Sequence, residues 1–98
     1  MIRVVVQDET GQEMSEPIDV PTEVLARPGD ARFTCLRFVD PYGDTVFNRL
    51  QLPHLVEDLR LLTESCSEAR HQGVIRQVEK LIERCQDNPH LYLKLIGD

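Results

Sequence analysis

Three groups of residues in this chain have types and spacings suited to chemistry. The first surrounds a tight turn. Asp40-Pro41-Tyr42-Gly43 is followed by Asp44, Asn48 and Arg49, so two carboxylates, a phenol, an amide and a guanidinium fall within residues 40–49. Such a set can line a small polar pocket or offer oxygen atoms to a hard cation, although it lacks the ligand count and spacing of an EF-hand loop. The same residues also build turns with no ligand at all, because Asp side chains accept backbone N–H bonds nearby. His54 follows at the start of a helical pattern, with Asp58 four residues on and on its face. A histidine oriented by a carboxylate is half of an acid–base arrangement. No motif supplies a nucleophile beside it, and Cys35, inside an apolar stretch, reads as inert core. Asp40, Tyr42, Asp44, Asn48, Arg49 and His54 are therefore candidate binding residues, and no catalytic residue is assigned.

The second group is Cys66, His71, Cys85 and His90, spaced Cys-x4-His-x13-Cys-x4-His. These are zinc-type ligands in no established zinc spacing. A continuous helix from Cys66 to Cys85 would hold the sulfurs about 28 Å apart at the usual rise. One tetrahedral site would need that helix to break at Gly73 and fold back. Cys66 and Cys85 read instead as small apolar packing residues, and no metal or other cofactor is assigned.

The third group is Arg76, Lys80 and Arg84, a basic stripe at i, i+4 spacing. Glu79 and Glu83 alternate beside it, which suits a solvated helix face better than a phosphate-binding one. Phosphate-cradling glycine loops, GxSxG, HExxH and CxxC are all missing from the sequence.

The elements that must position these residues follow from the chain's size and pattern. Its 98 residues form one domain. A chain of this mass should expose roughly 5,700 Å² when folded, against roughly 16,400 Å² when extended, enough burial for one modest core. With five aromatics and no Trp, that core is mainly Leu, Val and Ile. The net charge is −6. Residues 1–30 hold two basic and seven acidic side chains, a local −5, whereas residues 31–50 hold three basic and two acidic, a local +1. An acidic chain gains nothing from counterion release, so nucleic-acid binding is disfavoured. The acidic first third is a solubilising surface or a face that steers toward a basic partner. No apolar run approaches the ~18 residues of a membrane helix, and Met1–Val6 is too short for a signal peptide. Three widely spaced cysteines do not make a disulfide framework. A cytoplasmic protein is expected.

The pattern predicts strands near 2–7, 33–39, 45–47 and 91–96, a weak edge strand over 13–20 confined by Pro17 and Pro21, and a connecting loop over 21–31. Phe33–Val39 is apolar on both parities, which reads as a central strand covered on two faces, or on one face by a partner. Within the loop, Thr22 can cap a single helical turn. Helices are predicted near 53–64 and 66–87, with Pro53 in the first turn. They break at Thr63-Glu64-Ser65, where Ser65 and Glu68 spell a capping box, or at Gly73. Strands followed by helices argue for an α+β domain: a mostly antiparallel or mixed sheet of about four strands, two consecutive helices on one face, and a C-terminal strand. The leading functional expectation is a non-catalytic interaction module that binds a protein partner or itself, a homodimer included. The alternatives are a small enzyme or small-molecule binder using the 40–49 turn and His54, and nucleic-acid binding through Arg76, Lys80 and Arg84.

Overall fold

A computed structural model describes residues 1–98. The β-branched run at the N-terminus forms β1 (Ile2–Asp8), and the alternating leucines after Asn88-Pro89 form β4 (Leu91–Ile96). These two pair antiparallel at the centre of the sheet. The edges are β2 (Ile18–Val20), on β1, and β3 (Asp44–Phe47), on β4. The strand order is β2-β1-β4-β3, antiparallel throughout. The architecture is α+β, with two main helices, α2 (Leu52–Ser65) and α3 (Ala69–Gln86), following the third strand. Register puts Val4 and Val6 beside Leu95 and Leu93, and these beside Thr45 and Phe47. This row faces the core, since residues two apart share a face. Helix α3 lies against the sheet through Ile75, Val78, Ile82 and Cys85, and α2 packs on α3. The exposed surface totals 5768 Å², close to the value expected from mass alone.

No strand forms over 33–39. The segment is irregular, with a single 3₁₀ turn at Leu36–Phe38, and it buries Phe33, Cys35, Leu36 and Val39 without joining the sheet. The reason is Asp58, buried on α2. Its carboxylate accepts the N–H groups of Thr34 (3.0 Å), Cys35 (2.7 Å) and Leu36 (2.9 Å). Those donors would otherwise need a neighbouring strand. Apolarity on both parities therefore marks a plug inside the core. The helix-free sheet face, where a bare apolar surface was expected, mixes Arg3, Gln7, Tyr92, Lys94 and Asp44 with Val5, Val46 and Ile96 by register.

The other departures are local. The strand over 13–20 shrinks to Ile18–Val20, because Pro17 has no N–H and Ser15 turns its hydroxyl to accept the Val6 N–H at 2.9 Å. The loop over 21–31 contains a helical turn, α1 (Thr22–Leu25), which buries Val24 and Leu25; its N-cap is Pro21 and Thr22 makes no side-chain cap. The two long helices break at Cys66-Ser67-Glu68. Ser65 is the last residue of α2, and its hydroxyl donates back to Leu61 and Leu62 carbonyls, so no capping box forms. The Gln72 side chain holds the break by donating to the Cys66 carbonyl at 2.7 Å. Gly73 lies within α3, with open space where a Cβ would sit.

Candidate functional site

Strand β3 is short because turns close on it from both sides. Before it, the Asp40 carboxylate accepts the Tyr42 N–H at 2.9 Å and Thr45 Oγ1 accepts the Asp40 N–H at 3.0 Å. The two residues after β4 clamp this turn: Gly97 donates to the Gly43 carbonyl at 2.8 Å and Asp98 to the Pro41 carbonyl at 3.0 Å. A Cβ on Gly97 would lie 2.6 Å from the Asp40 and Pro41 carbonyl oxygens, so the close approach needs glycine. After the strand, Asn48 Oδ1 accepts the N–H groups of Leu50 and Gln51, while Gln51 Oε1 accepts the Asn48 N–H at 2.9 Å. This reciprocal pair launches α2.

The candidate binding residues are thus dispersed by their local duties. Asp40 holds the turn. Tyr42 projects into solvent, 83% exposed. Asp44 pairs with Lys94 across the ladder at 3.5 Å. Asn48 holds the turn before α2, and Arg49 stands exposed in no ion pair. His54, in the first turn of α2, faces a cleft that the other five do not line. Nor does His54 share a carboxylate with Asp58, whose oxygens are taken by the 34–36 backbone. The Cys35 thiol lies over the Gln51 carbonyl at 3.6 Å. Burial, with the nearby Asp58 charge, pushes it up to about 11, so it stays protonated and a poor nucleophile. Cys66, His71, Cys85 and His90 do not converge: Cys85 is core, and His90 faces Glu9 at 2.9 Å. Arg76, Lys80 and Arg84 lie exposed along α3.

The cleft that receives His54 opens between the 34–38 segment, β3 and the start of α2, with a volume of about 440 Å³. Phe38 and Val46 stand at it, 65% and 43% exposed. It borders the free edge of the sheet. The Gly43–Gly97 bond continues the register one pair beyond Asp44–Ile96. Bonded and non-bonded pairs alternate in an antiparallel ladder. Thr45 and Phe47 therefore direct their backbone groups at β4, and Asp44 and Val46 direct theirs outward. The opposite edge differs: β2 has three residues and is flanked by Pro17 and Pro21, devices that block edge pairing. An outward N–H and C=O row beside an apolar-rimmed cleft can take an added strand.

Sequence reasoning missed two residues that matter here. Phe38 falls within the 33–39 stretch that the sequence pattern reads as a strand, and it stands exposed instead on the 3₁₀ turn. Asp58 is placed by the sequence pattern on the face of His54, although its position between Leu55, Leu59 and Leu62 puts it on the buried face, where a carboxylate requires donors. Comparison with known proteins finds no matching family model, no matching curated protein and no matching solved structure.

Proposed function

We propose that this chain is a non-catalytic interaction module that takes an extended segment of a partner protein along the free edge of β3. The observation that carries the reading is the outward backbone of Asp44 and Val46 beside a cleft rimmed by exposed Phe38 and Val46. Main-chain pairing supplies affinity in such complexes, and pockets for alternate side chains supply specificity. Exposed aromatic residues at a rim are the kind that anchor interfaces. The competing occupant is the β3 edge of a second copy. A second copy would bring its own Arg37 to the same edge, a like charge, which favours a different protein.

The test pairs size-exclusion light scattering with quantitative capture from native extract. Baits are the wild type and the double variant Phe38→Ser, Val46→Pro. Partners retained equally by both baits would refute the edge as the binding surface. A monomer at micromolar concentration removes the second-copy version.

A further inference from the structure

We infer that the segment occupying the β3 edge is acidic: an extended stretch of a partner protein that pairs with Asp44 and Val46 and sets a carboxylate between Arg37 and His54. This deepens the interaction reading and rests on it. The motivation is a contrast in charge. Arg37 and His54 line the β3 cleft, and no acidic side chain does. Each of the other four clefts of the molecule carries carboxylates, among them Glu23, Glu68, Asp19 and Glu57. In a chain with 17 acidic residues against 11 basic ones, the cleft free of acid stands apart.

Both cleft donors are uncommitted. Neither Arg37 nor His54 takes part in an ion pair with a carboxylate. The Arg37 guanidinium lies 4.8 Å from the centroid of the Phe38 ring. Stacking of that kind restrains the fork before a ligand arrives, and a guanidinium presents two parallel donors to a carboxylate. The carboxylates nearest in sequence are already engaged, Asp40 by the Tyr42 N–H and Asp44 by Lys94. The overall charge repels an acidic partner from afar. At a Debye length of about 8 Å in physiological salt, however, the charges lining the cleft outweigh the distant acidic first third. Residues two apart on an added strand share a face. The occupant therefore places an aliphatic side chain over Phe38 and an acidic one two positions along.

Fluorescence anisotropy with three labelled ten-residue peptides tests this. One alternates Val and Glu, one alternates Val and Lys, and one is the Val–Glu peptide N-methylated at every second amide. The Val–Glu peptide should bind, more weakly as salt rises, and N-methylation should abolish binding. Arg37→Glu should weaken it about tenfold or more, because a paired charge becomes a repelled one; Arg37→Gln reads loss of charge alone should Arg37→Glu fail to fold. Val46→Pro should abolish binding, since its missing N–H faces outward and the β4 ladder keeps its bonds. Circular dichroism and melting check each variant. Tighter binding of Val–Lys overturns the acidic occupant while leaving the edge reading in place. Binding indifferent to N-methylation and to Val46→Pro overturns both. So does silence from every peptide with the chain monomeric. Dimerisation lost in Val46→Pro, with no peptide bound, makes a second copy the occupant and overturns the acidic partner.

Discussion

Replacing Asp58 should unfasten the 33–39 plug from the core. Asp58 is 3% exposed and receives three backbone N–H groups at 2.7 to 3.0 Å, two of them in buried positions. A hydrogen bond to a charged group contributes about 1.5–3 kcal/mol, and each buried donor left unpaired costs about 1–3 kcal/mol. Asp58→Ala strands the Cys35 and Leu36 donors with no acceptor, while water can reach the exposed Thr34. We expect a loss of about 3–5 kcal/mol, the range for removing one partner of a buried charged arrangement. A domain of this size has about 5–15 kcal/mol in all, so the variant sits near the folding threshold. Asp58→Asn keeps one acceptor oxygen but turns an amide N–H₂ toward backbone donors, and should lose about 2–3 kcal/mol. Urea unfolding followed by circular dichroism, with unchanged slope for both variants, gives these differences. Native-state hydrogen exchange adds a local readout: the Cys35 and Leu36 amides should lose protection in Asp58→Asn while those of β1 and β4 keep theirs. A loss below about 1 kcal/mol in Asp58→Ala would refute the reasoning, because that is the scale of a neutral surface bond.

Three further outcomes are expected. Gly97→Ala drives a Cβ to 2.6 Å from the Asp40 and Pro41 carbonyls and should cost about 1–3 kcal/mol, as overpacking does; Gly73→Ala, with open space inside α3, should stabilise by about 0.5–1 kcal/mol, both read by denaturant melts. Burial raises the Cys35 and Cys85 thiols from 9.0 to about 11. An unfolded chain releases those protons first, so stability should fall as pH rises from 9.0 to about 11, and the fall should shrink in the Cys35→Ala, Cys85→Ala variant. In the native state at pH 8 a thiol reagent should modify Cys66, the half-buried cysteine, well before the two buried ones, as peptide mapping after timed alkylation will show.

Period and punctuation placed most of the fold in view. The β-branched run at Ile2–Val6, the alternating Leu91–Leu95 stretch and the two leucine- and valine-rich helical series each write their own geometry locally, because side-chain spacing reflects which face must leave water. Pro53 and Asn88-Pro89 stand at α2 and after α3 as helix punctuation should. Phe33–Val39 misled because an apolar stretch records burial and not backbone pairing; a strand and a core plug look alike until the acceptors for their N–H groups are known. Those acceptors come from Asp58, 22–24 residues away. The helix break misled for a related reason: the Ser65 hydroxyl finds carbonyls in its own last turn before it can reach forward to cap.

The turn at Asp40–Gly43 was legible as a turn. Its polar groups were not legible as spent, because the donors that occupy them come from β4 and the two residues after it, Lys94 on Asp44 and Gly97 and Asp98 on the turn carbonyls. Amino-acid order thus sufficed for class, for the types of the long helices and of β1 and β4, and for the apolar helix faces, all of which depend on contacts within a few residues. Strand order, the plug, the break at Cys66-Ser67-Glu68 and the open β3 edge depend on which distant groups meet. Those follow from the assembled chain, where each buried N–H and carboxylate must find its partner across the fold.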